Sequence, residues 1–128
     1  MGTPIYVGNV TGLLRNFLER LTFPYVSYDT DGIMKFKDSI KSSYIYTMNC
    51  YPEKSNIYDG IFSANKHLMS FLNSESEYMI YGNSYQFDDY SKYYSSKFDM
   101  ARKEKDYKEE FPKVCVEAYE LGRRMATK

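Results

Sequence analysis

The chain has 128 residues, in which 17 basic and 17 acidic side chains cancel to a formal net charge of zero. One domain spanning residues 1–128 fits that length, and the mixed charges give no electrostatic case for binding nucleic acid or an acidic membrane surface. No apolar run approaches the ~18 residues of a membrane span and no signal peptide is recognisable, so the sequence predicts a cytoplasmic protein. The two cysteines are far apart and match no metal-ligand spacing, so no metal site is predicted.

The first predicted element is a turn-forming loop over residues 3–11 that leads into a short amphipathic helix. Pro4 fixes its own φ, and Gly8 lets the backbone turn or approach a ligand closely. Thr11 is a good N-cap residue for the helix, which is expected to end before Pro24. The apolar positions that recur at helical spacing are Leu13, Leu14, Phe17, Leu18 and Leu21.

The middle of the chain predicts a strand, a helix and a second strand. Residues 22–42 have the composition of a loop, whereas residues 43–50 are rich in aromatic and β-branched side chains and are predicted as a strand. Apolar residues recur at helical spacing over 57–72, which predicts a long helix. A second strand is predicted over residues 77–82.

The last third of the chain predicts helical structure with one interruption. The helical pattern begins near residue 91 and is broken at Phe111 and Pro112, because proline disfavours helix in the residue before it. Cys115 lies beside the apolar stripe of the final helix and is predicted to be buried. That stripe consists of Val114, Ala118, Leu121 and Met125.

Strands that alternate with helices predict an α/β domain, with a parallel sheet and helices on its faces. Such sheets bind ligands at the carboxyl ends of their strands. Three loops are expected to meet there, over residues 3–11, 48–55 and 82–89, and all three contain tyrosine and asparagine. Their composition suits a flat ligand with polar edges.

No side chain stands out as a catalytic acid, base or nucleophile. His67, the only histidine, has no cysteine or histidine at helical spacing and is predicted to lie at the surface. The paired acids at 88–89 and 109–110 are adjacent in sequence and therefore do not share a helix face, so capping or solvent exposure explains them better. Cys50 ends a predicted strand at the ligand edge, where the alternatives are a structural residue and a redox-active thiol.

Two consecutive motifs at the start of the chain resemble a known family. The first is Thr3-Pro4-Ile5-Tyr6-Val7-Gly8-Asn9-Val10-Thr11-Gly12, and the second is Leu14-Arg15-Asn16-Phe17-Leu18-Glu19-Arg20. They are similar to the Ser/Thr-Pro-x-Tyr-x-Gly-Asn-x-Ser/Thr-Gly loop and the following Leu-x-x-Phe-Leu-(Asp/Glu)-Arg helix of NADPH-dependent FMN reductases. The resemblance implies a flavodoxin-like fold and an FMN-dependent NAD(P)H oxidoreductase of the flavin- or quinone-reductase type.

The same resemblance implies where FMN is held. The first loop would lie along the isoalloxazine ring, with backbone amides that donate to its polar edge. No catalytic side chain is required, because the flavin supplies the chemistry and NADH or NADPH supplies the electrons. The implied cofactor contacts are Pro4, Ile5, Tyr6, Val7, Gly8 and Asn9, together with Asn49, Cys50 and Tyr51 in the loop after the next strand.

The family also has two earlier strands and a loop that cradles the FMN phosphate, and this sequence contains no counterpart of them. The chain is therefore expected to correspond to the C-terminal part of a flavodoxin-like domain, an incomplete sheet with an exposed edge. Weak or no FMN binding by the isolated chain is expected unless a complementing N-terminal half supplies the phosphate site. The alternative is a non-catalytic split or truncated module that acts through protein association, as a homo-oligomer or with that second half.

Overall fold

Four strands form one open sheet in the computed structural model, which describes residues 1–30 and 35–127. The strands are β1 (Gly2–Tyr6), β2 (Asn9–Val10), β3 (Ser42–Thr47) and β4 (Ser76–Tyr81), and their order is β2-β1-β3-β4. β1, β3 and β4 are parallel, whereas β2 runs antiparallel to β1. The predicted α/β architecture with a mostly parallel sheet is confirmed, and residues 31–34 of the predicted 22–42 loop lie outside the described ranges.

Helices flank both faces of this sheet. On one face, the ring of Phe62 lies 5.2 Å from that of Tyr78, and on the other Phe111 lies 5.3 Å from Tyr81. The two tyrosines are three residues apart on β4, so they point to opposite faces. The helices are α1 (Gly12–Thr22), α2 (Asp59–Ser70), α3 (Met100–Glu109) and α4 (Phe111–Ala126), with 3-10 turns at Phe23–Tyr25, Pro52–Tyr58 and Tyr90–Lys92. None of these described helices is long and apolar enough to cross a membrane.

The largest departure from the sequence prediction is in the opening stretch. The predicted loop over residues 3–11 is wrong, because Gly2–Tyr6 form β1, whose Gly2 pairs with Ile45 of β3. Val7 and Gly8 are the two central residues of a hairpin turn to β2. Pro4 and Gly8 led to the prediction of a turn over the whole of residues 3–11. Proline is tolerated on an edge strand, however, where its missing N–H faces away from the ladder.

Elsewhere the predicted elements occur with shifted ends. The Oγ1 of Thr11 accepts the N–H of Leu14 at 3.3 Å, so Thr11 caps α1 as predicted. The predicted helix over 57–72 is preceded by a 3-10 turn, and the helical segment expected from residue 91 begins only at Met100. Pro112 lies in the first turn of α4, where the absent N–H is tolerated.

The final helix corrects one prediction about burial. Cys115, which was expected in the core, is exposed. Leu121 is buried, and Val114 and Ala118 are half-buried. Consecutive residues of a helix are about 100° apart, so Cys115 falls beside the apolar stripe of α4 instead of within it.

Buried tyrosines of β3 form the centre of the core on the α1–α2 face. The rings of Tyr44 and Tyr46 are stacked with centroids 5.5 Å apart, and neither side chain is exposed. Asn65 of α2 satisfies both hydroxyls, since its carbonyl accepts from Tyr44 at 2.9 Å and its Nδ2 donates to Tyr46 at 3.2 Å. Burial raises the pKa of Tyr44 well above its usual range and that of Tyr46 to about 12.

Candidate functional site

A cleft of about 350 Å³ opens at the carboxyl edge of the sheet. Three parts of the chain form its walls: residues 4–6 at the end of β1, residues 47–48 at the end of β3, and residues 84–87 after β4. The sequence predicts that loops from these three regions meet at this edge, and the structure brings them together. Every side chain that lines the cleft is aromatic, aliphatic or polar without charge.

The first wall is the β1–β2 hairpin. Its base is tied by the Thr3 hydroxyl, which donates to the carbonyl of Pro4 at 3.0 Å and accepts the Thr11 N–H at 3.3 Å. At the tip Val7 has a φ of 49°, in the left-handed region that a β-branched residue rarely adopts. Tyr6 is 58% exposed and Val7 fully so. The hairpin therefore presents an apolar tip on a strained backbone.

The six contacts that the resemblance implies in this hairpin divide into two groups. Pro4, Ile5 and Tyr6 line the cleft. Val7 and Gly8, with φ of 49° and 78°, form the turn beyond it, and Asn9 starts β2. The Oδ1 of Asn9 accepts the N–H of the next residue at 2.8 Å, so its side chain supports the hairpin locally.

The second implied contact loop, residues 49–51, does not line the cleft. The Oδ1 of Asn49 accepts from the ammonium of Lys103 at 2.6 Å. The guanidinium of Arg102 covers the ring of Tyr51 at 3.9 Å from its centroid. Two residues of α3 thus hold the side chains of Asn49 and Tyr51, the first and last residues of this loop.

The backbone of the second loop is also in close contact with the end of β4. The carbonyl of Cys50 accepts the N–H of Asn83 at 2.8 Å, and the Cys50 thiol is half-buried. A Cβ placed on Gly82 would lie only 2.7 Å from the Cys50 oxygen and 2.9 Å from Cδ of Pro52. Glycine is therefore required where β4 meets this loop.

The third wall, residues 84–87, was expected at the edge but was not assigned as a cofactor contact. The N–H and hydroxyl of Ser84 both donate to the carbonyl of Met48, at 3.0 and 3.1 Å. The N–H of Gln86 donates to the Tyr90 hydroxyl at 2.9 Å, and the ring of Phe87 stacks on that of Tyr93 at 3.9 Å. The position of this loop after a parallel strand is the signal that identifies it as part of a site.

A buried lysine lies behind the third wall. Lys103 of α3 is 1% exposed, and its Nζ donates to the carbonyl of Ser84 at 2.9 Å as well as to Asn49. The rings of Phe98 and Tyr90 lie 5.2 and 6.0 Å from the ammonium. Burial lowers the pKa of Lys103. Within the described ranges Lys103 forms no ion pair. Sequence reasoning missed this residue, because a lysine among charged neighbours on a helix predicts solvent exposure.

A larger groove of about 920 Å³ lies at the opposite edge of the sheet. His67 lines it and is exposed on α2, in agreement with the sequence prediction. Arg124, another lining residue, is paired with Glu77 at 2.8 Å. The three loops that the parallel topology brings together lie at the other edge, so this groove is not the candidate site.

The chain matches no protein-family model, no curated protein and no solved structure. Among the described residues, no group of three or more histidine, cysteine, aspartate or glutamate side chains is placed to hold a metal ion. The ligand of the cleft is therefore inferred from its geometry, its lining chemistry and the resemblance of the opening motif.

Proposed function

We propose that this protein is a flavodoxin-like, FMN-dependent NAD(P)H oxidoreductase of the flavin- or quinone-reductase type, which acts in the cytoplasm. The cleft at the carboxyl edge of the sheet would hold the isoalloxazine ring. The supporting observation is the three-walled, uncharged cleft whose first wall carries the Pro4–Tyr6 part of the flavin-loop motif.

The lining of the cleft suits a flat ring with polar edges. Tyr6, Tyr85 and Phe87 offer aromatic faces, and hydroxyl and amide groups are provided at Thr47, Ser84 and Gln86. Aromatic side chains favour offset or edge contacts with another ring. Its volume of about 350 Å³ lies at the lower end of the range for ligand clefts, about 300–1,000 Å³.

The same lining does not suit the phosphate of FMN. A phosphate is normally held by Arg, Lys or several backbone N–H groups at a helix N-terminus. None of the residues that line the cleft is cationic. We therefore assign the phosphate to a second polypeptide segment, either a complementing N-terminal half or another copy of this chain.

The protein's part in the reaction would be to bind and orient the ring. Flavin, when bound, supplies hydride acceptance from NADH or NADPH and electron transfer to an acceptor. Residues 4–6 would contact the ring from the β1 side, and residues 84–87 from the β4 side. Met48 is 3% exposed and would keep water from the floor of the cleft.

Flavin fluorescence tests this proposal. Titration with the protein should quench the fluorescence of FMN and of lumiflavin, which is the ring without a phosphate. The two dissociation constants should lie within about threefold of each other. Tyr6→Ala should weaken binding about tenfold if stacking on this ring contributes at the usual scale. Tyr119→Ala is the matched control, because Tyr119 is likewise exposed (70%) but lies on α4. Absence of quenching by either flavin contradicts the proposal.

A second candidate function is a non-catalytic module that acts by association. β2 pairs only with Ile5 and Tyr6, so the outer edge of β1 over residues 2–4 has no strand partner among the described residues. Met1 exchanges hydrogen bonds with β3, through Ser43 at 2.7 Å and Ile45 at 2.8 Å. The backbone groups of alternate residues, Gly2 and Pro4, therefore point away from β3.

Light scattering distinguishes the association module from a self-contained flavoprotein. An exposed edge of this kind can accept a strand from another chain. A dimer or larger species with no flavin binding would support association as the function. A monomer at high protein concentration that quenches flavin would contradict it.

A further inference from the structure

We propose that Lys103 is a positioning residue that gives the cleft a fixed positive charge and so favours the reduced form of a bound flavin ring over the oxidised form. This inference depends on the function proposed above. Lys103 would act through Ser84 and Asn49 without touching the ring.

The contacts of Lys103 fix its ammonium at the junction of two loops. Asn49 follows β3 and Ser84 follows β4, and their oxygens lie 2.6 and 2.9 Å from Nζ. Ser84 also lines the cleft, and so does Met48, the residue before Asn49. The ammonium is therefore bonded directly to a lining residue of the third wall, Ser84, and to the residue that follows a lining residue of the second wall, Met48.

The ammonium of Lys103 has no carboxylate within ion-pair distance among the described residues, so its charge is at most partly offset. Both of its hydrogen-bond partners are uncharged oxygens, and within the described ranges it makes no ion pair. Asp106, the carboxylate whose field reaches Lys103, is engaged by Asn83 at 2.7 Å and by Arg102 at 3.6 Å. Buried charges are normally paired, because leaving an ion unpaired in a low dielectric is expensive.

A buried charge that is at most partly offset acts on whatever occupies the cleft. Electrostatic interactions are weakly screened in a buried environment, so a charge behind the wall affects a ring in the cleft more than a surface charge would. A bound ring that takes up two electrons and one proton becomes anionic, and nearby positive charge is a recognised means of stabilising that reduced form. We expect Lys103 to increase the affinity for reduced over oxidised ring about tenfold.

The test measures the two-electron midpoint potential of bound lumiflavin by spectroelectrochemistry. In Lys103→Met the tenfold preference should be lost, which corresponds to a midpoint lower by about 30 mV. In Asn49→Asp the lysine keeps its hydrogen-bond partner but gains a carboxylate that cancels its charge, so the same fall is expected. Lys105→Met is the control, because it removes a charge from the same helix at a side chain that is 68% exposed.

Each outcome decides the matter. Equal falls in Lys103→Met and Asn49→Asp, with no change in Lys105→Met, support the proposal. If Lys103→Met does not fold, Asn49→Asp alone decides it. Flavin that binds with one potential in all variants overturns the role of Lys103 and leaves the proposed function standing, whereas no binding to the wild-type protein overturns both. A fall in Lys103→Met without one in Asn49→Asp indicates a displaced loop and also overturns the proposal.

Discussion

The two loops implied as flavin contacts differ in what the rest of the chain does to them. In the first, the β1–β2 hairpin, Tyr6 and Val7 are exposed and the tip has a left-handed φ of 49° at a valine. In the second, residues 49–51, the side chains of Asn49 and Tyr51 are held by Lys103 and Arg102. The first loop is open to a ligand, and the second is closed by α3.

This difference separates two ways in which an edge loop can serve a site. Strain at an exposed valine is retained where the surrounding structure or a ligand requires it. A loop whose side chains are already bonded supports a site from behind. The second loop contributes no lining residue to the cleft, and in the role proposed for Lys103 it would affect a ligand only through the charge of that residue.

The largest effect is expected where the closed loop meets β4. Gly82→Ala puts a Cβ 2.7 Å from the Cys50 carbonyl oxygen, so the two backbones must separate. We expect the free energy of unfolding in urea to fall by about 3 kcal/mol. Separation of the loop should also increase the rate at which a thiol reagent labels Cys50.

Gly122→Ala is the control for this substitution. Gly122 lies in α4, and an added Cβ there meets no atom within 4 Å. Helix propensity predicts that this variant is more stable by about 0.5–1 kcal/mol. If Gly82→Ala were as stable as the wild type, the loop would not be closed by backbone contact.

The stability of the protein at alkaline pH tests the burial of the tyrosines on β3. Both loops depend on this strand, because β3 pairs with β1 and leads into the closed loop. Burial raises the pKa of Tyr46 to about 12 and that of Tyr44 further. The unfolded chain loses these protons near pH 10 while the folded protein keeps them, so stability is full below pH 10 and declines above it. At pH 11, about one unit above the unfolded pKa, we expect each tyrosine to cost about 1.4 kcal/mol, a loss of about 2.7 kcal/mol for the two together.

Urea midpoints measured between pH 8 and pH 11 check this expectation. Tyr46→Phe removes one of the two titrating groups, and so its decline with pH should be shallower. A wild-type midpoint that stays constant to pH 11 would show that the two hydroxyls are not protected from water.

In the β1–β2 hairpin, by contrast, a substitution is expected to increase the stability of the protein. Asn-Gly is the preferred pair for a two-residue turn with positive φ at both positions, so Val7→Asn should relieve strain at the tip. We expect about 1 kcal/mol of added stability, which raises the melting temperature by about 4 °C. Val116→Asn, an exposed valine in α4, is the control and should not be stabilised. A destabilised Val7→Asn would mean that the tip is not strained.

The smallest effect is expected from the outer edge of the closed loop. Arg102 pairs with Glu53 at 2.9 Å, but both side chains are substantially exposed, 39% and 53%. Exposed ion pairs contribute little in water, and salt screens them. Arg102→Gln should therefore leave the melting temperature nearly unchanged in 0.15 M salt, and a clear decrease would indicate that stacking on Tyr51 stabilises the loop.

The sequence predicted those features of the fold that depend on local periodicity. The alternating tyrosines of β3 and the apolar stripe of α4 gave the order of strands and helices and hence the edge where loops meet. The hairpin was missed because Pro4 and Gly8 indicate turns locally, whereas the pairing of β1 with β3 depends on residues more than 40 positions away.

The candidate site was predicted only in outline, for the same reason. The parallel topology indicated that three loops meet, and the structure places residues 4–6, 47–48 and 84–87 there. Nothing local distinguishes Lys103 from the other lysines of α3. Its burial arises from Asn49 and Ser84, which are 54 and 19 residues away in sequence.

The parallel pairing of β1 with β3 also constrains how the protein is made. Residues 1 and 43, joined by a hydrogen bond, are separated by 42 positions, and synthesis at about 5–20 residues per second spans that distance in roughly 2–8 s. During that interval β1 emerges without the strand that it pairs with. The first wall of the cleft is therefore the earliest to be synthesised, but its final shape depends on β3.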